Sequence, residues 1–524
     1  MAKEKKAPKK VVIPKAIEVS LWESANKLRG SVEPAEYKHV VLGLVFLKFA
    51  SDKFAERRQE LLDEGKDKYL EMPDFYTMKN VFFLEEISRW SHIQAHAKQP
   101  DLALIIDTAL HTIEKDNKAL KGALPDNYFS RLGLDRTKLA ALVDEISDID
   151  TLRDKKQDVV GKVYQYFLSK FALAEGKGKG EFYTPQSIVN LIAELIEPYK
   201  GIIYDPACGS GGMFVQSIKF IESHHGSKRE VSIYGQEYTN TTYKLAKMNL
   251  AIRGISANLG ERAADTFGQD QHPDLKADYI MANPPFNQKD WRGENELLDD
   301  ARWRGYDVPP RSNANYAWIL NMAAKLSDNG VAGFILANGA LSGGGEEYKT
   351  RRKLIENDLV EAILVLPRNL FYTTDISVTL WILNKNKRAH SKDVGDKARH
   401  YRNRVGEILF MDLRQLGEPF EKKFTQFSEA DIKQVTRTYH NWQTIGAANV
   451  PEFSYTASRA EVVTKDYSLV PSKYIEFVNR DENVDFDQKM AGLRQEFAQL
   501  LEAEEQSKKE LLNVFKELGY AIEL

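Results

Sequence analysis

Cysteine and long apolar runs are almost missing from this sequence. The chain has 524 residues and one cysteine, Cys208, so disulfide bonds do not hold it together, and such usage is typical of a reducing compartment. No apolar run approaches the roughly 20 residues that a membrane-spanning helix needs. The lysine-rich start of the chain is not followed by an apolar stretch of the signal-peptide type. These absences predict a cytoplasmic protein with no membrane partner.

An excess of charge of one sign is missing as well. The chain carries 73 Lys and Arg residues against 76 Asp and Glu residues, a net charge of −3. Nucleic-acid binding over the whole surface is therefore not predicted, and any DNA contact would depend on local patches or on a partner. One cysteine and 10 scattered histidines give no zinc-ligand spacing, so we expect no metal. The glycine-lysine stretch 175–181 lacks the pattern of a nucleotide-binding P-loop.

Changes of pattern divide the chain into four segments. The first is a basic tail, and the second repeats apolar residues at the three- and four-residue spacing of helices. The third alternates short apolar runs with amphipathic stretches, which predicts a mostly parallel sheet with helices on both faces. The fourth is a helical assembly segment. The predicted boundaries are 1–15, 16–157, 158–475 and 476–524.

The predicted strands of the third segment lead to the candidate site, because parallel sheets bind ligands at the carboxyl ends of their strands. The predicted strands are 201–204, 231–235, 277–281, 331–336, 360–366 and 378–383. Beyond Asn384 the pattern weakens into a polar, basic stretch that includes Lys387, Arg399 and Arg404. We therefore look for function in the residues that directly follow the strands.

A turn of small residues, 205–212, follows the first of these strands. Its three glycines let the backbone pass close to a ligand without Cβ clashes. Asp205 is placed to face a cationic or amino-bearing group, while Cys208 is interpreted as a small packed residue. The turn lacks the third glycine of the dinucleotide fingerprint GxGxxG. A tight turn that only packs remains an alternative for this motif alone.

Two further acids follow the next strands in order. Glu237 ends the second strand, where an acid accepts hydrogen bonds from ribose hydroxyls. Asp265 follows the region of a third strand and is placed to accept from an adenine amino group, with Phe267 beside the ring. Each acid alone is commonly a solvated loop residue. Three acids after consecutive strands favour a nucleoside-bearing ligand.

The sequence Asn283-Pro284-Pro285-Phe286 at the end of another strand carries the most specific chemistry. An aromatic amine is a poor nucleophile because its lone pair is delocalised into the ring. The Asn283 amide oxygen and the Pro284 carbonyl can accept both of its N–H bonds, and the two prolines make the loop rigid. Phe286 offers a flat face on which an extruded base can stack. The alternative is a proline turn that only ends a strand.

These residues resemble the DNA amino-methyltransferases, and more closely the modification subunit of type I restriction–modification systems. The resemblance covers nearly all of residues 16–475, and it includes 181–185, an opening motif that contributes to the cofactor pocket in that family, as well as 314–319 and 366–372. It implies that S-adenosylmethionine is the cofactor. The implied cofactor-binding residues are Glu181, Phe182, Tyr183, Thr184, Pro185, Gln186, Asp205, Ser210, Gly211, Gly212, Glu237 and Asp265. The implied catalytic residues are Asn283, Pro284, Pro285 and Phe286.

The resemblance also implies a fold and a function. We expect a Rossmann-like S-adenosylmethionine-dependent methyltransferase domain of the α/β class, an N-terminal all-helical domain and a C-terminal helix. The expected reaction is methylation of the N6 amine of a flipped adenine in double-stranded DNA, which protects host DNA from cleavage. The expected partners are a type I specificity subunit, with two copies of this chain on it, and a restriction subunit.

Other functions stay open to different degrees. A self-sufficient amino-methyltransferase, acting on adenine N6 or cytosine N4, would need its own reader of bases, and the residues after Asn384 are few for that task. A catalytically silent DNA-binding assembly subunit would not need Asn283, Phe286 and Glu237. Cytosine-C5 methylation needs a cysteine nucleophile on a loop, which Cys208 does not provide. Glutamine methylation of release factors uses a similar loop, but in shorter chains that usually end it in tyrosine.

Two segments carry additional expectations. The loop 287–313 contains Trp291, Arg302 and Trp303, and it either touches DNA near the flipped base or packs on its own protein. The last segment places apolar residues on one seven-residue repeat with polar interruptions at Glu504 and Ser507, which predicts a seam for helical partners. The seam residues are Met490, Leu493, Phe497, Leu500, Leu511, Val514 and Leu518. Packing of this helix on the chain's own helical domain is the alternative.

Overall fold

The computed structural model describes most of the chain. The described residues are 22, 34–149, 164, 166–168, 170, 184–371, 377–395, 397–420, 423–446, 449–477 and 486–517. They belong to two compact units, Met1–Ile475 and Glu476–Leu524. None of the described helices is long and apolar enough to span a lipid bilayer. The predicted basic tail, and Glu181, Phe182 and Tyr183, lie outside the described residues.

Regular structure in residues 34–149 is helical. The helices are α1 (Pro34–Asp63), α2 (Asp74–Thr77), α3 (Trp90–Ala95), α4 (Leu102–Asp116), α5 (Tyr128–Arg131) and α6 (Arg136–Ser147). Val41, Leu44 and Leu47 of α1 are completely buried, and Ile106 and Leu110 of α4 belong to the same core. The spacing of these residues puts them on one face of each helix, so burying that face holds the helices together. The helical character predicted for this part of the chain is confirmed.

A nine-stranded sheet forms the centre of the remainder of the first unit. Its strands are β1 (Gly201–Asp205), β2 (Val231–Gly235), β3 (Ala257–Asn258), β4 (Ala277–Ala282), β5 (Leu326–Ala337), β6 (Val360–Val365), β7 (Val378–Asn384), β10 (Glu407–Asp412) and β13 (Ser454–Ser458), in the order β13-β10-β6-β7-β5-β4-β1-β2-β3. The neighbouring strands β5, β4, β1, β2 and β3 all pair in parallel, and β7 runs antiparallel to β5 and β6. The predicted mostly parallel α/β fold is confirmed.

Helices cover both faces of this sheet. They are α7 (Gln186–Ile196), α8 (Gly212–Ser223), α9 (Asn240–Ile252), α10 (Asn315–Lys325), α11 (Gly345–Glu356), α12 (Glu429–Thr444) and α13 (Arg459–Thr464). Successive strand residues point to opposite faces: Tyr279 and Met281 lie in a core with α7 and α8, whereas Ile280 and Ala282 lie in a core with α10. Burial on both faces explains why the sequences of these strands are nearly continuous apolar runs.

Helix α9 takes part in two cores. Leu245, Met248 and Ile252 pack with the helical domain, and Tyr243 and Leu250 pack with the sheet. Lysine side chains of α9 also donate hydrogen bonds to the helical domain, from Lys244 Nζ to the Leu124 carbonyl at 3.0 Å and from Lys247 Nζ to the Lys121 carbonyl at 2.8 Å. One helix therefore joins the helical domain to the sheet.

The stretch beyond Asn384 is more structured than its sequence pattern indicates. It supplies β10 and β13 to the large sheet, and two hairpins, β8 (His390–Val394) with β9 (Lys397–Tyr401) and β11 (Glu418–Phe420) with β12 (Phe424–Gln426). Two of its basic residues are neutralised by acids that are distant in sequence. Arg404 pairs with Glu361 at 3.0 Å and Lys387 with Asp358 at 2.7 Å, and both cations are buried. These cations therefore serve the fold and do not form a free basic patch.

Apart from residues 476 and 477, the described part of the second unit is one helix, α14 (Phe486–Glu517). Its apolar residues are exposed, with 52% of Leu493, 63% of Phe497, 62% of Leu500 and 58% of Leu511 accessible to solvent. Leu518, the last predicted seam residue, lies outside the described range. An exposed row of large apolar side chains is the kind of surface that seeks a partner.

Candidate active site

The glycine turn after β1 leaves room for a ligand. Gly209 and Gly211 have φ angles of +53° and +79°, which side-chain-bearing residues rarely adopt. A Cβ atom added to Gly209 or Gly212 would meet no atom within 4 Å. The turn is held from behind, because the Asn249 side chain of α9 donates a hydrogen bond of 2.7 Å to the Ser210 carbonyl. Open space beside a constrained backbone is what a closely approaching ligand requires.

Asp205 lies at the start of this turn and is almost completely buried. The Ala207 backbone N–H donates to its carboxylate at 2.9 Å. Burial, and in addition the nearby charge of Glu237, raise the pKa of Asp205 to about 8, against the lowering effect of that hydrogen bond. Without a ligand this acid is therefore mainly protonated near neutral pH, and a cationic group bound beside it would favour the ionised form.

Glu237 is joined to the glycine turn by hydrogen bonds. Its carboxylate accepts from the Gly209 N–H at 3.1 Å and from the Thr239 N–H at 2.8 Å. The neighbouring Gln236 is fully buried, and its amide bonds the Ala264 and Gln269 carbonyls at 3.2 Å and 2.8 Å. Gln236 therefore ties Glu237 to the loop that carries Asp265, a role that its sequence position alone does not reveal.

Asp265 is half-buried and stabilises its own turn, since its carboxylate accepts from the Phe267 and Gly268 N–H groups at 3.3 Å and 3.0 Å. The Thr266 hydroxyl donates to the Pro206 carbonyl at 2.6 Å, which joins this turn to the glycine turn. Phe267 is fully buried, with its ring centroid 4.3 Å from that of Trp318. The three acids therefore lie on three connected turns at one edge of the sheet.

Asn283 directly follows β4 and is 7% exposed. Its Nδ2 donates a hydrogen bond of 2.9 Å to Thr184 Oγ1. Its Oδ1 is buried and has no hydrogen-bond partner among the described residues. A buried acceptor without a partner costs about 1–3 kcal/mol, so a donor on a bound ligand would stabilise this position.

The pocket in front of Asn283 brings several predicted residues together. Its lining is formed by Thr184, Asp205, Ala207, Cys208, Gly209, Ser210, Gly212, Met213 and Asn283. Gln186, the first residue of α7, is exposed and does not line this pocket. The predicted residues Pro185, Gly211, Glu237 and Asp265 do not line it either. Burial, and next the charges of Asp205 and Glu237, raise the pKa of the Cys208 thiol far above its ordinary value. A thiol that stays protonated is a poor nucleophile, which agrees with its interpretation as a packed residue.

The rest of the catalytic motif is held by neighbouring elements. Pro284 is buried, and the half-buried Phe286 makes an edge-to-face contact with Phe371 at 6.0 Å between ring centroids. Asn315, at the start of α10, is fully buried and exchanges hydrogen bonds with Asn287: Asn315 Oδ1 accepts from the Asn287 N–H at 3.0 Å, and Asn315 Nδ2 donates to Asn287 Oδ1 at 2.8 Å. An asparagine on the buried side of an apolar helix is the signal that could have identified this residue.

Three side chains of the loop 287–313 pack on their own protein, whereas others, such as Arg304 and Arg311, are exposed. Trp291 and Trp303 are 6% and 2% exposed, and the Trp291 ring lies 4.6 Å from that of Phe267. Arg302 pairs with Asp300 at 2.7 Å and donates to the Thr266 and Phe267 carbonyls. The interpretation that these side chains touch DNA is therefore wrong for Trp291, Arg302 and Trp303, because aromatic packing and one ion pair already bury them.

Comparison with known proteins identifies the family. A model of the N-6 DNA methylase family matches residues 155–483, and a model of the HsdM N-terminal domain matches residues 17–146. The type I restriction enzyme MjaIX methylase subunit of Methanocaldococcus jannaschii is 35% identical over 96% of this chain and 91% of its own. The HindI methylase subunit of Haemophilus influenzae is 42% identical over 78% of this chain and 92% of its own.

A solved structure shows the same fold. The methyltransferase subunit of a type I restriction–modification system from Streptococcus thermophilus superposes with a TM-score of 0.73 at 23% identity, over 88% of this chain and 99% of that chain. The family models and the two curated relatives agree with the resemblance seen in the motifs. The chain therefore belongs to the N-6 DNA methylase family, among the methylase subunits of type I restriction enzymes.

Proposed function

We propose that this chain transfers a methyl group from S-adenosylmethionine to the N6 amine of a flipped adenine in double-stranded DNA, as the modification subunit of a type I complex. The observation that carries the proposal is the buried Asn283 Oδ1, which has no partner among the described residues and lies on the pocket of the glycine turn. An acceptor in this position suits an amine that must be activated beside a bound cofactor.

The chemistry of the amine explains the residues of the loop. The nitrogen attacks through its lone pair, which is delocalised into the ring while the amino group lies in the ring plane. Acceptors that hold both N–H bonds out of that plane make the lone pair available. Asn283 Oδ1 supplies one acceptor and the Pro284 carbonyl the other. Phe286, supported by Phe371, supplies a face on which the extruded base stacks.

The residues of the pocket and of the turns connected to it fit the proposed cofactor. When bound, S-adenosylmethionine supplies an electrophilic methyl group on a positively charged sulfur. Asp205 would face the amino group of its methionine part, and Glu237 the ribose hydroxyls. The open space beside Gly209 and Gly212 accommodates a ligand that a Cβ would exclude. Asp265, on the connected turn, would accept from the adenine amino group of the cofactor.

Replacing Glu237 by alanine should weaken cofactor binding by roughly 10- to 100-fold, the worth of a charge-assisted hydrogen bond. The loss includes loosening of the glycine turn, because Glu237 also holds the Gly209 N–H. Titration calorimetry of the purified chain measures the effect. Glu230→Ala is a matched control, since this exposed acid lies at the opposite end of β2. Equal affinities for Glu237→Ala and wild type would reject the ribose assignment.

Cofactor affinity should rise as the pH is raised towards about 8, where Asp205 becomes ionised. Asp205 is protonated below its raised pKa, and a cationic ligand binds the ionised form, so binding below pH 8 must release a proton. The dissociation constant should fall by at most about tenfold per pH unit on the way up. Calorimetry in buffers of different ionisation enthalpy counts the released proton. Asp205→Asn should remove both the pH dependence and the release; persistence of either contradicts the assignment.

Asp205 should also affect the stability of the unliganded chain, and here the pH dependence has the opposite sign to that of cofactor affinity. The unfolded chain ionises Asp205 near pH 4 and the folded, unliganded chain only near pH 8, so the folded state binds the extra proton in between. The contribution of Asp205 to stability therefore falls as pH rises from about 4 to 8. Asp205→Asn should consequently raise the melting temperature of the unliganded chain at pH 8 more than at pH 5.

Site choice on DNA is proposed to lie with a specificity subunit that binds two copies of this chain, together with a restriction subunit. The basic residues beyond Asn384 that pair inside the fold support this division, since they are not free to read bases. Co-expression with the specificity subunit, followed by mapping of methylated bases in the host genome, tests the function. N6-methyladenine at one defined site is expected, with none from Asn283→Ala. N4-methylcytosine, methylation without the specificity subunit, or no methylation would each favour one of the alternative functions.

A further inference from the structure

The side chain of Asn283 has two chemically opposite ends of similar size. Its amide oxygen accepts hydrogen bonds, whereas its amide nitrogen only donates them. The final torsion of asparagine is broad and roughly two-fold, so the chain geometry alone does not select between the two orientations. With the nitrogen toward the target, two donors would face each other and the amine would not be activated. Something in the pocket must therefore select the orientation.

Thr184 is the residue in position to do so. Its Oγ1 accepts the hydrogen bond from Asn283 Nδ2 at 2.9 Å, and in this arrangement Oδ1 points away from Thr184. A hydroxyl can also donate, so the selection is made together with the target amine: the amine pairs only with Oδ1, and the Thr184 hydroxyl then accepts from Nδ2. Both residues line the same pocket, and Asn283 is 7% exposed, so water competes little for the amide nitrogen. Thr184 precedes Pro185, whose fixed φ angle of −56° starts helix α7. The hydroxyl is thus attached to a rigid element that begins at the pocket wall.

We infer that Thr184 is a positioning residue that fixes the Asn283 amide with its oxygen toward the target amine. This role is separate from cofactor binding by the opening motif, and it rests on the proposed function of Asn283. The Thr184 hydroxyl acts through Asn283, so removing it lowers the rate of methyl transfer with saturating cofactor. If Thr184 only bound the cofactor, removing its hydroxyl would instead raise the cofactor KM and leave that rate unchanged.

The test compares Thr184→Val with Thr184→Ser in the full chain, bound to its specificity subunit. Valine replaces the hydroxyl by a methyl group of similar size, and serine keeps the hydroxyl. Single-turnover methyl transfer with saturating cofactor should fall by roughly 3- to 10-fold in Thr184→Val, the expected loss for one net hydrogen bond. Serine should restore the rate to within about twofold of wild type, because the acceptor of the Asn283 N–H is kept. Calorimetric cofactor affinity and melting temperature are measured for each variant.

A double variant separates this inference from the proposed function. If Thr184 acts through Asn283, adding Thr184→Val to Asn283→Ala causes no further loss of rate. An unchanged saturating rate in Thr184→Val, no recovery in Thr184→Ser, or losses that multiply in the double variant would each overturn the positioning role. The proposed function would survive those results as long as Asn283→Ala alone loses at least about 100-fold of the rate. Wild-type activity of Asn283→Ala would instead overturn the catalytic assignment itself.

Discussion

Replacing Asn283 by alanine is expected to reduce methyl transfer by at least about 100- to 1,000-fold, the usual loss when one group that acts on the transition state is removed. Cofactor affinity should stay close to the wild-type value. The Asn283 oxygen has no hydrogen-bond partner among the described residues, and in the proposed mechanism it acts only when the target amine is activated, so its effect belongs to the transition state.

The measurement pairs single-turnover methyl transfer to a DNA duplex with calorimetry of cofactor binding. Asn329→Ala is a suitable control, because Asn329 is exposed and its side chain accepts from Asn386 Nδ2 at 2.8 Å in a different pocket. A full methylation rate in Asn283→Ala would contradict the mechanism. Loss of both activity and cofactor binding would mean that Asn283 supports the pocket and is not specific to the amine.

The second large effect concerns helix α14. Truncation after Asp485 should leave a folded chain that binds cofactor but no longer forms the complex with the specificity subunit. The seam is the physical reason, since Leu493, Phe497 and Leu500 expose half or more of their surface. Each large apolar side chain buried in a helical partner contributes about 1.5–3 kcal/mol. Size-exclusion chromatography with light scattering reports the assembly and its copy number.

Point variants sharpen this test because they keep the helix. Leu493→Glu with Phe497→Glu should weaken assembly by about 100-fold or more, since two apolar contacts are lost and two charges would be buried. Gln495→Glu adds a charge on the same turn away from the seam and should assemble normally. If the seam variant assembles like wild type, α14 is not the assembly element. Aggregation of the truncated chain alone would favour the alternative that the helix packs on its own protein.

The central strands were predictable from sequence because they are buried on both faces. For β1, β2, β4 and β6 the predicted and observed ends agree to within one residue. No strand was predicted beyond Asn384, because the basic residues near β10 suggest an exposed stretch. Their partners, such as Glu361 for Arg404, are far away in the chain, and no local pattern reveals such a pairing. Charge in a sequence is therefore a weak guide to exposure when its partner is distant.

The candidate site shows the same division. The order of the acids after their strands was enough to predict that Asp205 and Glu237 lie at one sheet edge, because parallel strands align their carboxyl ends. The bond between Asn283 and Thr184 was not predictable, since it joins residues 99 positions apart. The packing of Trp291 on Phe267 likewise depends on tertiary contacts. Local sequence order places the backbone of a site, and long-range contacts orient its side chains.

Helix α9 has a consequence for how the first unit responds to heat and to ligands. One of its faces belongs to the helical domain and the other to the sheet, and its Asn249 side chain holds the glycine turn. The helical domain and the cofactor pocket therefore cannot melt independently, because opening either one strips a buried face from the same helix. Ligand binding at the turn would consequently slow amide hydrogen exchange in α1, a helix that lies outside the pocket lining.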